Sequence, residues 1–307
     1  MSEAKRPLGK DELDRLAREA LEGLAELRSS GREPSPRERL ALPVQDMPCQ
    51  DPQARASNML EVSEGYSEAQ ARLEAERCLN CKNAPCVAGC PVRVDIPGFI
   101  TKIREGDFQG ATRAIKRTNL LPSICGRVCP QESQCQANCT VGKSLKSVDA
   151  AVQIGRLERW VADTERACGA CDLPDVGNES GKRVAVVGSG PAGLTTAIDL
   201  RREGHEVVVY EAFQKTGGVM VYGIPEFRLP KSLVAIESNL LSEMGVRYEL
   251  NFLVGRTRKL GDLLAKDGFD AVFVGAGAGL PKFMEMPRAK TSSACSRRTS
   301  TSRGPTS

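Results

Sequence analysis

The chain has 307 residues, 40% hydrophobic and 27% charged, with a formal net charge of +4. That allows two domains with a sizeable core and gives no electrostatic reason to expect DNA or other nucleic acid as a partner. No run approaches the ~18 apolar residues that would cross a membrane, and the opening MSEAKRPLGKDELDRL lacks the apolar segment of a secretory signal, so a reducing cytoplasmic setting is expected for the twelve cysteines.

Residues 11–27 place Leu13, Leu16, Ala20, Leu21, Leu24 and Leu27 at helical spacing, with charge on the other face. Residues 28–58 carry Pro34, Pro36, Pro43, Pro48 and Pro52 and read as an extended linker, so 1–58 is taken as an N-terminal helix plus linker. From 59 to 166 short helices alternate with cysteine turns. Ser67 is the expected N-cap of a helix that delivers Cys78 at its end. Asp95, with Pro97 in the first turn, and Asp107 cap two more helices. LLPSICGRVCP follows, then a last helix within SVDAAVQIGRLERWVADT. Almost no strand pattern occurs here, which predicts an all-helical domain wrapped around buried cysteines.

Residues 167–181 are polar and turn-rich and read as a second linker. At 182 the rhythm changes. RVAVVG is a short buried strand, GPAGLTTAIDLRREG a helix and HEVVVYEA a second strand, the opening of a doubly wound sheet. LVAIESNLLSEMG predicts another helix, and VRYELNFLV and DAVFVGAG predict strands. The fold class is α+β multidomain: an N-terminal all-helical domain built around the cysteine turns at 59–166, then a partial Rossmann-like doubly wound α/β domain at 182–286. Residues 287–307 are rich in Ser, Thr and basic residues without apolar periodicity. RAKTSSACSRRTSTSR can be back-translated with permitted codons so that a shifted frame reads GENLIGVFSANEYLTR, a peptide that the family resemblance below makes a sensible continuation of GLPKFMEMP. The tail is therefore expected to be a frameshift product that truncates the chain, in preference to a disordered segment.

Eight cysteines form two blocks. Cys78, Cys81, Cys86 and Cys90 read C-x2-C-x4-C-x3-C-P; Cys125, Cys129, Cys135 and Cys139 read C-x3-C-P-x4-C-x3-C. Eight thiolates could hold two 4Fe-4S clusters or two zinc ions, or be buried structural thiols. The Cys-Pro pairs favour iron, because ferredoxin-type runs end this way and lend their last cysteine to the other cluster. On that logic Cys78, Cys81 and Cys86 share one cluster, Cys90 leaves for the second, and the second block returns one cysteine. Cys168 and Cys171 form a C-x-x-C pair without the strand-then-helix setting of a redox motif. Cys49 and Cys295 are isolated. The single histidine, His205, reads as a surface turn residue and argues against His-based zinc chemistry.

Gly188-Ser189-Gly190-Pro191-Ala192-Gly193 is G-x-G-x-x-G between a strand and a helix. Gly188 permits the tight turn, Gly190 lets the backbone approach a pyrophosphate, and Gly193 allows close helix–strand packing. The helix N-terminus favours phosphate, and Glu211, at the end of the next strand, stands where a ribose-binding acid is expected. Gly217 and Gly218 either bring backbone against a cofactor or form an ordinary turn. The motif alone does not separate FAD from NAD. Iron–sulfur beside a dinucleotide fold points to electron transfer.

The stretches CLNCKNAPCVAGCPVRVDIPGFI, LLPSICGRVCPQESQCQANC, VAVVGSGPAGL and GGVMVYGIPEFRLPK resemble the small (β) subunit family of NADPH-dependent glutamate synthase. The same module occurs in the N-terminal half of dihydropyrimidine dehydrogenase and in the FAD subunit of electron-bifurcating ferredoxin:NADP oxidoreductase. The resemblance runs from about Leu42 to Met286. It implies one cluster on Cys78, Cys81, Cys86 and Cys139. The other would sit on Cys90, Cys129 and Cys135 with Glu158 as an oxygen ligand, leaving Cys125 a non-ligand. It also implies FAD held by Gly188, Ser189, Gly190, Pro191, Ala192, Gly193, Glu211, Gly217 and Gly218, no catalytic side chain, and NADPH as electron donor. The implied partner is the large glutamate synthase subunit or another electron-accepting protein. Relatives continue with an NADPH domain and a segment completing the FAD site. Neither pattern is present here, so weak FAD binding and no NADPH oxidation are expected of this chain alone. Two other readings are a bifurcating-oxidoreductase subunit and a zinc-stapled, non-catalytic interaction module.

Overall fold

The computed structural model describes residues 8–169 and 173–279, which divide into two units, Met1–Cys171 and Asp172–Ser307. The first is all-helical. Helix α1 (Lys10–Ser29) lays Leu13, Ala17 and Leu24 against α4 (Glu68–Glu76), where Ala69 and Leu73 complete a small apolar cluster. Ser67 caps α4 in a reciprocal box with Gln70, the arrangement that satisfies two otherwise orphaned N–H groups.

The segment expected as an extended linker at 28–58 is instead folded onto this unit. Two of its prolines open short helices, α2 (Pro36–Ala41) and α3 (Pro52–Arg55), capped by Ser35 and Asp51. Proline is favoured at a first helical position, so the feature that reads as a breaker is here a start signal. The α4 charges then hold the segment down. Glu76, almost fully buried, accepts from Arg28 at 2.8 Å and Arg39 at 2.8 Å. Glu74 and Arg77, both fully enclosed, pair at 2.6 Å. Glu74 also accepts from the Gln45 and Gln153 amides, and Arg77 donates to the carbonyls of Leu42, Ala150 and Ala151. Removing one partner of such a pair strands a buried charge, at a cost of about 3–5 kcal/mol.

Beyond α4 come α5 (Pro85–Ala88), α6 (Ile96–Glu105), α7 (Phe108–Lys116) and α8 (Pro122–Val128). Two 3-10 turns (Gln131–Ser133 and Gln136–Asn138), α9 (Thr140–Ser144) and α10 (Ile154–Ala167) complete the unit. Asp95 and Asp107 cap α6 and α7 by accepting from the Gly98 and Gly110 amides. Phe99, Ile100, Ile103, Ile115 and Leu157 form the core, and Cys135 and Cys139 lie in the same cluster. The last helix begins later than its sequence segment, because residues 147–153 run without helix into the Glu74–Arg77 hub.

The second unit is a four-stranded parallel sheet in the order β3-β2-β1-β4. The strands are β1 (Arg183–Val187), β2 (Glu206–Tyr210), β3 (Arg247–Glu249) and β4 (Ala271–Val274). Register is set by facing apolar pairs such as Val186↔Val209 and Ala185↔Val272. Helix α11 (Pro191–Arg202) makes the β1–β2 crossover. The short α12 (Val219–Tyr222), α13 (Lys231–Glu243) and α14 (Leu260–Ala265) supply the rest. The strand expected over VRYELNFLV ends at Glu249, because Asn251 adopts a left-handed φ of 56° and turns the chain under β2. There the Phe252 amide donates to the Glu211 carbonyl. The segment expected as a linker at 167–181 contains residues tied to the α11 end, where Gly177 and Ser180 amides donate to Arg202 and Gly204 carbonyls. Cys171, Cys295 and the expected frameshifted tail at 287–307 lie outside the described residues. Among the described residues no helix is long and apolar enough to cross a membrane.

Candidate cluster and dinucleotide sites

Cys78, Cys81, Cys86 and Cys139 line one recess. Its walls are apolar, with Pro85, Ile96, Ile100, Val141, Val152 and Ile154 among them. The sequence blocks reach it from both ends. The C-terminus of α4 delivers Cys78, the α5 turn delivers Cys81 and Cys86, and Cys139 precedes α9. The Cys81 thiol donates to Thr140 Oγ1 at 3.3 Å. Burial raises the Cys78 pKa and pushes Cys86 up to about 12, with Cys78 and Cys139 adding like-charge repulsion. Four thiols in an apolar pocket, with Cys78 and Cys86 resisting ionisation, fit a cationic iron centre, whose charge would draw the protons off. Among the described residues no three His, Cys, Asp or Glu side chains converge tightly enough for one metal ion.

Cys90, Cys125, Cys129, Cys135 and Glu158 form a second group. Cys135 is pushed up to about 12, by burial first and then by Glu158 and Cys90. Cys125 and Cys129 share a hydrogen bond, which raises Cys125 and lowers Cys129 to about 7. Glu158, only 9% exposed, is pushed up to about 8 by burial and by Cys129, against the hydrogen bond from Asn119. Among the described residues no cation pairs with it. A buried carboxylate without a counter-charge, facing thiols, fits an iron centre as the missing positive charge. Cys90 thus lies with Cys135, and Cys139 lies in the other recess.

Gly126, which sequence reasoning passed over, sets this geometry. A Cβ there would stand 2.5 Å from the Arg159 amide nitrogen and 2.7 Å from its Cα, so α8 and α10 touch backbone to backbone. That contact sets the Cys125–Cys129 turn beside Glu158. The helical glycine in C-G-R-V-C-P was the available clue. Ion pairs fasten the same two helices. Arg127 binds Glu61 and Asp163, each at 2.8 Å, and Arg159 reaches both acids.

In the second unit the Gly188–Gly193 loop joins β1 to α11 as expected. Gly188 has φ of 99°, and a Cβ on it would press the Gly275 carbonyl oxygen at 2.5 Å. A Cβ on Gly193 would collide with the Gly188 carbonyl oxygen, so this glycine permits the helix–strand approach. Gly190 differs: nothing lies within 4 Å of its Cβ position, leaving open space at the α11 N-terminus. Pro191 and Ala192 form the first turn of α11. Ser189 and Glu211 interlock. The Ser189 amide and hydroxyl both donate to Glu211 Oε2, at 2.9 and 2.5 Å, and the Phe213 amide donates to Oε1 at 3.0 Å. Gly217 donates to Ser189 Oγ, and Gly218 packs on the Gly190 backbone, 2.9 Å from its own Cβ position to Gly190 Cα. The glycine pair therefore closes over the loop and is no ordinary turn. Lys231 clamps the following segment by donating to the carbonyls of Met220, Ile224 and Leu229. The open cradle and helix N-terminus fit a dinucleotide pyrophosphate, and Glu211 keeps acceptor capacity for a ribose hydroxyl. His205 lies away from this loop, its Nδ1 2.6 Å from Ser180 Oγ.

Residues 55–170 match the family described as dihydropyrimidine dehydrogenase domain II, 4Fe-4S cluster, and residues 186–228 match an NAD(P)-binding Rossmann-like domain. The chain is 38% identical over 234 residues to a glutamate synthase [NADPH] small chain of Escherichia coli, covering 76% of this chain and 48% of that one. It is 39% identical over 225 residues to the NAD-dependent dihydropyrimidine dehydrogenase subunit PreT of the same species, covering 73% and 53%. The chain thus spans about half the length of these relatives. Together these matches make the helical unit a 4Fe-4S domain and the sheet unit a Rossmann-like NAD(P)-binding region.

Proposed function

We propose that this chain, a homologue of the glutamate synthase small chains, carries electrons between a flavin-linked nicotinamide site and two 4Fe-4S clusters that serve a partner subunit. Cys78, Cys81, Cys86 and Cys139 hold one cluster. Cys90, Cys129, Cys135 and Glu158 hold the other, with an oxygen ligand that sets its potential apart. Gly188 to Gly193, Glu211, Gly217 and Gly218 hold FAD. NADPH is the donor, and a glutamate-forming large subunit is the acceptor. When bound, the flavin takes up an electron pair and releases single electrons, which 4Fe-4S clusters accept one at a time. The chain's own residues do the placing: apolar walls line the recess around the sulfurs, and the interlocked Ser189–Glu211 pair shapes the phosphate cradle.

The observation that supports this reading is the sorting of the cysteines into two groups, with Cys90 beside Cys135 and Cys139 beside Cys78, Cys81 and Cys86. The comparable identity to a dihydropyrimidine dehydrogenase subunit favours a second reading of the acceptor, as a subunit of another reductase. Anaerobic purification with iron, sulfide and flavin assays tests the proposal. About eight iron and eight sulfide per chain, with a dithionite-induced EPR signal, are expected. A colourless, zinc-bearing protein would overturn it.

A further inference from the structure

Asn119, between α7 and α8, is buried and has every side-chain group committed. Its Nδ2 donates to Glu158 Oε1 at 2.5 Å. Its Oδ1 accepts from the Leu121 amide at 3.1 Å and lies 3.5 Å from Cys125 Sγ. The opposite amide orientation would set Oδ1 against a carboxylate and Nδ2 against an N–H, so the network fixes it. The single Cys125 proton has two acceptors in reach, Asn119 Oδ1 and the Cys129 sulfur. The arginines nearby are otherwise engaged: Arg127 and Arg159 bind Glu61 and Asp163, and Arg159 also donates to the Ser63 carbonyl. Glu158 is thus held by a neutral donor, which orients a carboxylate without cancelling the charge that a metal needs.

We propose that Asn119 is the positioning residue for Glu158, and that Asn119 and Cys125 together form an outer bridge joining the carboxylate to Cys129 on the far side of one iron site. This rests on the ligand assignment proposed above. Outer partners of this kind orient ligands and tune metal centres. A donor to a ligand atom stabilises the more negative, reduced cluster, so removing it lowers the potential.

The test is EPR-monitored redox titration of the full chain, purified anaerobically, as wild type, Glu158→Ala, Asn119→Asp, Cys125→Ala and Cys125→Ser. Asn119→Asp keeps the acceptor for Leu121 and replaces the donor to Glu158 with a carboxylate oxygen that repels it. It should lower the midpoint potential and alter the EPR signal of one cluster while the other is unchanged. Cys125→Ala should lower the same potential, and Cys125→Ser, which keeps a donor, should restore it. Were Glu158→Ala to change that cluster while Asn119→Asp and Cys125→Ala left it as in wild type, the bridge would be refuted and the ligand assignment would stand. Were Glu158→Ala itself without effect, the assignment would fail first. Loss of both clusters in Asn119→Asp would show a general folding role and also count against the proposal.

Discussion

At the scale of single residues, the Gly188–Gly193 loop separates glycines packed against backbone from one that faces open space. Gly193 packs against the Gly188 carbonyl, so Gly193→Ala should destabilise the sheet unit by about 1–3 kcal/mol through overpacking. Gly190 has an ordinary φ of −67° and open space at its Cβ position. Gly190→Ala should therefore leave the melting transition within about 0.5 kcal/mol of wild type and abolish flavin retention. Calorimetry and flavin absorbance of the two variants check this directly. Equal stability losses in both would show that the open space is not a cradle. These roles were legible in the sequence because G-x-G-x-x-G assigns each glycine a separate steric task. Asn119 was not legible, since a lone asparagine between helices declares no partner until the chain brings Glu158 back to it.

At the scale of elements, the α8–α10 contact governs the second cysteine group. Gly126→Ala forces a methyl into the Arg159 backbone, and the helices must separate. The expected result is about 1–3 kcal/mol of lost stability and selective loss of the cluster nearest Glu158, read as a fall in iron per chain with one EPR signal retained. Ion pairs give the same element pair its acid sensitivity. Burial works to raise the Asp163 pKa, but the hydrogen bond and charge of Arg127, with Arg159 and Arg166, outweigh it and hold it below the usual range. A lowered carboxylate stabilises the fold above its unfolded value near 4, and that contribution disappears as pH falls through the folded value. Urea melts of the full chain should therefore weaken below about pH 4, and Asp163→Asn should flatten that dependence. A variant with an unchanged slope would place the acid sensitivity elsewhere. Helix starts in this unit were readable from Ser67, Asp95 and Asp107, whose caps are local. The folding of 28–58 was not, because it depends on Glu74 and Glu76 accepting from residues tens of positions away.

At the scale of the whole molecule, the sequence rhythm separates a helical unit from a parallel sheet, and the structure and the family matches agree with that division. What remained hidden was long-range: strand β3 stops early because Asn251 turns, and α10 starts late because residues 147–153 serve the Arg77 hub. Such ties have no periodic signature. Clusters held as proposed above would add their binding energy to the stability of the helical unit. Treating the full chain anaerobically with a strong iron chelator should lower its first thermal transition by several degrees, checked by circular dichroism. An unmoved transition would mean that the cysteines contribute nothing to folding.

The recess shared by Cys78 and Cys139 joins positions about sixty residues apart. An inorganic core bonded to both would act as a covalent staple across that span, removing unfolded-chain entropy on the scale of about 4 kcal/mol if it behaves like a disulfide closing a loop of that size. Oxygen damage to the core would then cut the staple, and a lesion that begins as lost electron transfer would end as exposure of the polypeptide to proteases.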